Sequence, residues 1–313
     1  MNIAIKYTNY LNPGQIAVGC SDQPLYALKK TIQWMYPSIF GSTYFPFMGG
    51  LHIEQATLVW MGQLVSGTGI KDIITVAGLD TVGLVSAVCD VNSMKKARYT
   101  LQVIAVVLMM NLQKAYTADK EANDDGSHLT LEQWSTSQNS HMFQYWYKIL
   151  HYIKVTLMLI RSFRESNFTL FISTLEALTP LFFALDHIHY SRWVSVFIYD
   201  LKTLPEKFPQ LNSQFLHGSF TVNTKGVNFS NIAMDQGQEH SNKKIKAISG
   251  YIDQVNDGDR TFLRKLELCL PEINEYLTNM ELLSKPQVNI KKFHNVSSAN
   301  LSQIAKKYTR NSS

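Results

Sequence analysis

The residues able to do chemistry fall in five places. Asp22 follows a short apolar run, Ile16 to Cys20, and precedes Gln23-Pro24. A carboxylate there can cap the helix that Pro24 opens, or can stand as an acidic group at the end of a strand. His52 and Glu54 follow Gly49-Gly50. They are two residues apart and do not share a helix face, so a hydrogen-bonding histidine is the plainer reading than a ligand pair. Asp186, His187 and His189 form the densest ionisable group in an apolar context. Buried polar groups need partners, which favours a hydrogen-bonded helix junction over a metal site. Asp235 and Glu239 are four residues apart and do share a face. That spacing suits a joint metal or hydrogen-bonding role, and equally a cap followed by a solvated Glu. Lys243, Lys244 and Lys246 come next and could meet phosphate; a solvated face is the default for such lysines.

The elements that must position these groups can be read from pattern. Ile16 to Cys20 is a strand-like run. Leu25, Leu28, Ile32 and Met35 recur at helical spacing. Tyr44 to Met48 is a second strand-like run, and Pro46 weakens it or puts it at a sheet edge. In an α/β sheet, chemistry sits outside the carboxyl ends of strands, which is where Asp22 and His52 fall.

Beyond Glu54 the pattern is helical. Ile53, Ala56, Val59, Trp60 and Leu64 make one face, ended by Gly67-Thr68-Gly69. A short helix is expected over Lys71 to Ala77 and a longer one over Met94 to Tyr116, with Leu101, Ile104, Leu108 and Leu112 on one side. Asp119 to Gly126 reads as a solvated, mobile acidic loop. Thr130 opens the next helical region, in which Leu150, Ile153, Leu157 and Ile160 form a core-facing stripe. Arg161, Arg164 and Glu165 are ion-pair candidates. Asn167 can cap a helix lined by Phe168, Phe171, Leu175, Leu178 and Phe182. Trp193 to Leu204 completes the block. The period then changes: Ser219 to Val222, a Lys225-Gly226 turn and Phe229 to Ala233 read as a hairpin. Asp235 is placed to cap a helix through Glu239 and Lys243. Helices near Arg260 to Leu268 and Ile273 to Leu283 precede the end of the chain.

Composition bounds the function. The 313 residues are 45% hydrophobic and 12% aromatic, which fits a packed globular protein. Three cysteines, Cys20, Cys89 and Cys269, lie far apart, which argues for a reducing compartment and against a cysteine-based zinc site. Of 29 basic and 24 acidic residues, six basic and no acidic ones lie between Lys285 and Ser313. The remainder is nearly neutral and lacks the bias of a dedicated nucleic-acid binder. No apolar run reaches the length of a membrane span, and no signal-peptide core is present. The sequence contains no phosphate-binding glycine loop, no HExxH and no zinc-finger spacing.

Five stretches carry a resemblance: SDQPLYALKKTIQW, GGLHIEQA, RSFRESNF, FFALDHIHYSRW and MDQGQEHSN. In this order, over roughly Leu11 to Pro271, they resemble a family of uncharacterised, mobile-element-derived proteins of animal genomes, related to a fungal domain of unknown function. The resemblance implies descent from a transposase whose ribonuclease-H-like core is interrupted by a helical insertion. Such enzymes use about three carboxylates to hold two Mg²⁺ ions that activate water and stabilise the leaving oxygen. On the resemblance, Asp22 matches the second carboxylate and Glu239 the third, with Asp235 a further metal candidate. Gly49 to His52 matches a polar-x-x-His signature, with Gly49 where Cys or Asp is usual. Met1 to Ser21 contains no Asp or Glu. The first carboxylate and its strands are therefore expected to be missing.

The expectation is a mixed α/β, helix-dominated fold: a partial ribonuclease-H-like core at residues 1–55, a helical insertion at 56–217, a hairpin and C-terminal helices completing the core at 218–284, and a basic, disordered tail at 285–313. The expected function is that of a transposase-derived protein, ancestrally a Mg²⁺-dependent DNA-cleaving or strand-transferring enzyme, catalytically incomplete as this chain. The alternatives are a non-enzymatic protein- or nucleic-acid-interaction module and an unstable gene fragment. DNA is a candidate partner, and a missing upstream segment or a protein partner is expected to be needed. An intracellular site is expected, the nucleus ahead of the cytoplasm.

Overall fold

The computed structural model describes residues 1–65, 67–69, 94–122, 129–184, 188–223 and 225–248, the last five of these for their backbone alone. The expected helices over Lys71 to Ala77, Arg260 to Leu268 and Ile273 to Leu283 lie outside the described residues. The fold is helix-dominated with a few short strands. Met1–Asn242 form one compact unit.

The chain opens with a helix that the pattern did not announce, α1 (Asn2–Leu11). Strand β1 (Ala17–Ser21), helix α2 (Gln23–Met35), a turn of helix α3 (Pro37–Phe40) and strand β2 (Tyr44–Met48) follow. β1 and β2 pair in parallel, Ala17 opposite Tyr44 and Ser21 opposite Met48. Parallel pairing needs a crossover, and α2 with α3 supplies it. The pair is two-stranded, so both are edge strands and Pro46 is tolerated. All five residues of β2 are buried, as in a strand covered on both faces.

α2 lies where the spacing places it, and its cap is Asp22, whose Oδ1 accepts the Leu25 N–H at 3.3 Å. Its orientation inverts the usual rule. Leu25, Leu28 and Met35 are more than half exposed, while Gln23, Tyr26, Lys30 and Gln33 are buried. The reason is hydrogen bonding. Gln33 Nε2 donates to the Phe40 and Tyr44 carbonyls at 3.2 and 2.8 Å, and Lys30 Nζ reaches Asp200 Oδ2 at 2.8 Å. The polar face of α2 thus fastens the crossover to its neighbours, and the apolar face is left outside.

Helix α4 (Gly50–Val65) leaves β2 directly. The block that follows comprises α5 (Met94–Ala122), α6 (Leu131–Ser137), α7 (His141–Arg164), α8 (Phe168–Ala184), α9 (Ile188–Lys202), α10 (Leu204–Lys207) and α11 (Pro209–Leu216). The first part of the expected acidic loop is helical instead: Asp119 to Ala122 are the last turn of α5. Asp119 Oδ2 accepts the Trp134 indole N–H at 2.8 Å, a contact that draws this turn onto α6. Thr130 and Gln133 form a reciprocal capping box at the start of α6, and Asn167 Oδ1 caps α8 through the Leu170 N–H at 2.9 Å. Strands β3 (Thr221–Asn223) and β4 (Asn231–Ala233) make the hairpin; Phe229 lies in its turn, at φ 63°, not in the strand. Helix α12 (Met234–Ile248) follows β4 without a break.

The core is aromatic. Phe47 of β2 packs against Phe171, Phe197 and Phe215, with ring centroids 6.1, 5.0 and 5.5 Å away. Phe168, Phe171, Leu175, Leu178 and Phe182 are all buried, as their spacing predicts. Each such side chain contributes about 1.5–3 kcal/mol of burial. The strand pair therefore owes its stability to the helices around it, since a two-stranded sheet is marginal alone. Among the described residues, no helix is long and apolar enough to cross a membrane.

Candidate functional site

The carboxyl ends of β1 and β2, the amino end of α4 and the first turns of α12 meet at one place. β2 ends at Met48, and Gly49 N–H donates to the Ser21 carbonyl at 2.7 Å, extending the strand pairing by one bond. A Cβ on Gly49 would lie 2.3 Å from Asp235 Oδ2 and 3.1 Å from the Ser21 oxygen. No other residue fits there while Asp235 is in place. This explains the glycine at position 49.

Asp235 is 3% exposed, and its carboxylate closes the amino end of α4. Oδ1 accepts the Leu51 N–H at 3.0 Å and Oδ2 the His52 N–H at 3.2 Å. These are two of the donors that every helix start leaves without intrahelical partners, and a negative charge at the positive end of the helix dipole is favourable. Asp235 is thus the cap of α4, not simply of its own helix as its sequence position suggests, although Oδ1 also takes the Gln236 N–H at 3.1 Å.

The same Oδ2 lies 2.9 Å from His52 Nδ1, and His52 Nε2 lies 3.7 Å from Glu239 Oε1. The imidazole is therefore held between two carboxylates one helical turn apart. Its pKa is raised, first by the Asp235 hydrogen bond, then by the charges of Asp235, Glu239 and Asp22 working against burial. Tyr190 O–H donates to the His52 carbonyl at 3.3 Å, and burial together with Asp22 and Asp235 pushes that phenol up to about 12. Cys20 borders the cluster; burial and the Asp235 charge raise its thiol pKa, which keeps it in the unreactive protonated form. Lys29 donates to the Gly19 and Cys20 carbonyls at 3.3 and 3.5 Å, and burial lowers its pKa.

Of the residues singled out from sequence, Asp22, His52, Asp235 and Glu239 fall in this cluster. Glu54 does not. It is 1% exposed and pairs with Arg98 Nε and Nη2 at 2.5 and 2.7 Å on the other side of α4. His189 is exposed on α9; Asp186 and His187 lie outside the described residues. Lys243 is exposed, and the side chains of Lys244 and Lys246 lie outside the described residues. Arg98, Tyr190 and Cys20 were not anticipated. The polar residues of the FFALDHIHYSRW stretch were the only signal pointing to Tyr190.

A divalent cation finds only part of a site here. Among the described residues no three His, Cys, Asp or Glu side chains converge as a metal set. Asp235 is committed to three N–H groups and the imidazole, and Asp22 accepts the Leu25 N–H at the start of α2, which leaves Glu239 as the carboxylate with the fewest partners. Two-metal phosphodiester chemistry calls for more oxygen ligands than these.

Residues 82–309 match the family model described as a domain of unknown function, DUF8702. The chain belongs to the DUF8702 family. The DUF8702 match takes in Asp235 and Glu239 and begins after Asp22 and His52. The cluster is thus built half from the DUF8702 region and half from the β1–α2–β2–α4 segment before it. Comparison with curated proteins and with solved structures finds no match.

Proposed function

We propose that this chain descends from a transposase with a ribonuclease-H-like core and that its acidic cluster now serves as a structural clasp and no longer cuts DNA. The observation that carries the reading is the return of α12 to the end of β2. After a long helical block, Glu239 meets a histidine that follows a parallel βαβ unit whose first strand is followed by Asp22, which is the order of parts the ancestry requires. The loss of cutting rests on Asp235, whose carboxylate is taken up by the α4 amino end and by His52. Intact ancestors would have held Mg²⁺ through Asp22 and Glu239, the ion activating water at a phosphodiester.

The test is cleavage of supercoiled and linear DNA with Mg²⁺ or Mn²⁺, alongside calorimetric titration of either ion. The expected result is no cleavage and no saturable binding that Asp22→Ala or Glu239→Gln removes. Metal-dependent cleavage abolished by Asp22→Ala would overturn the proposal.

One observation favours a second reading, a non-enzymatic interaction module. Tyr99, Val106, Val107 and Met110 on α5 are half or more exposed and fall on one stripe. If that stripe joins copies of the chain, light scattering gives a dimer that Val106→Glu with Met110→Glu dissociates. A concentration-independent monomer counts against it.

A further inference from the structure

A second site lies away from the acidic cluster, beside the amino-terminal end of β2. A cavity of about 570 Å³ opens between α2, α9 and α10, in the size range of small-molecule sites. Its lining includes Lys30, Trp34, Tyr199, Asp200 and Lys207.

Its polar groups are buried and held in place. Lys30 is 4% exposed, and its ammonium group spends two of three N–H donors on Asp200 Oδ2 and Gln33 Oε1, both at 2.8 Å. Gln33 is fixed in turn by the Phe40 and Tyr44 carbonyls. Asp200 Oδ2 also accepts the Tyr26 O–H at 3.3 Å. Among the described residues Lys30 has no third hydrogen-bond acceptor, its ammonium group standing 5.4 Å from the Trp34 ring centroid, and the second Asp200 oxygen, Oδ1, accepts no hydrogen bond. A donor and a carboxylate acceptor thus stand side by side on a cavity wall.

The aromatic groups are more exposed, and each already has one cation beside its ring. Trp34 is 55% exposed and is stacked on Trp193 at 5.8 Å and 23°. Tyr199 is 61% exposed, and Lys207 Nζ stands 5.1 Å from its ring centroid. The lining carries two cations and one anion, so an additional negative charge is favoured.

We infer that this cavity binds a guanine base bearing a phosphate, carried on a free nucleotide or in single-stranded nucleic acid. Asp200 Oδ1 accepts from the ring and amino N–H groups, Lys30 donates to the adjacent carbonyl oxygen, Trp34 or Tyr199 lies against the ring, and Lys207 meets the phosphate. Adenine presents an acceptor where Asp200 needs a donor, and a donor where Lys30 needs an acceptor. A site built to hydrogen-bond its ligand rejects one lacking those groups.

The full chain is titrated with GMP, AMP, guanosine and short oligonucleotides of one base type, by calorimetry and Trp fluorescence. Saturable GMP binding is expected, with AMP weaker by about a hundredfold, the scale of two mismatched hydrogen-bonding groups. Asp200→Asn should erase the preference. Tyr199→Ala, at an exposed position that leaves the fold intact, should weaken GMP about tenfold, the scale of one lost base–aromatic contact. Lys207→Ala should bring GMP close to guanosine. An oligo-dG advantage over GMP assigns the site to a strand, and the reverse assigns it to free nucleotide. Equal binding of GMP and AMP, indifference to Tyr199→Ala, or no binding of GMP and oligo-dG at millimolar concentration overturns the inference. None of these outcomes bears on the acidic cluster, whose test uses Asp22 and Glu239.

Discussion

Asp235 holds His52 at two points, through the backbone N–H at 3.2 Å and through Nδ1 at 2.9 Å, while its other oxygen takes the Leu51 N–H at 3.0 Å. Removing the carboxylate strips these partners together. Asp235→Ala should lower stability by about 3 kcal/mol, the sum of a lost cap and newly unsatisfied buried donors. Urea unfolding gives the value. A change below about 0.5 kcal/mol, the range of ordinary surface substitutions, would show that the cap does not stabilise the fold.

His52 makes part of this contact dependent on pH. Its folded-state pKa is raised, so its contribution is fully present below the unfolded value of about 6.5 and is lost as pH rises through the folded value. Wild type should therefore exceed His52→Gln in stability by more at about pH 5 than at about pH 8.5. A stability difference that grows with pH has the wrong sign and refutes the assignment.

Gly49 is where backbone and carboxylate meet. Gly49→Ala places a methyl 2.3 Å from Asp235 Oδ2, which must move. A loss of about 1–3 kcal/mol is expected, as for overpacking elsewhere. The His52 imidazole, followed by NMR, should titrate at lower pH once Asp235 is displaced. An unchanged titration would mean that α12 shifts with its carboxylate intact.

The Glu54–Arg98 pair is a separate matter of stability. Glu54→Gln leaves Arg98 without its buried partner and should cost about 3–5 kcal/mol, whereas Glu54→Leu with Arg98→Met should recover most of that. Thermal melts of the two variants decide between a lost pair and a lost fit. A double variant no better than the single one points to fit.

How far the sequence could be read is clearest in α2. Its helix, its start at Asp22 and its place between two strands follow from local chemistry: a cap, a proline and three-to-four spacing. Which face is buried does not, because Gln33 and Lys30 take partners on β2 and α9 that no local pattern names. Asp235 gave the same lesson. Cap preference is a local rule, and the helix this carboxylate caps begins 185 positions earlier at Gly50. Asp119 read as loop because its acidic neighbours are polar, yet an indole on α6 completes its turn of helix.

That inversion can be tested. Leu25→Lys and Leu28→Lys, on the exposed apolar face, should each change stability by less than about 0.5 kcal/mol. Gln33→Leu, which takes a donor from the Phe40 and Tyr44 carbonyls and one of two oxygen partners from the Lys30 ammonium, should cost about 1–3 kcal/mol. If the leucine variants are the damaging ones, α2 presents its other face.

The contact between His52 and Asp235 also sets an order of events. It joins positions 183 residues apart, a loop whose closure entropy scales to about 5 kcal/mol. Strand β1, helix α2 and strand β2 are joined over short distances, so bringing them together costs less loop-closure entropy. The imidazole meets its carboxylate at the full closure cost unless the packing of the helices between has already brought α12 back. The raised His52 titration is therefore a signature of the finished molecule: a chain stalled at any earlier stage carries the same residues and titrates as an ordinary histidine.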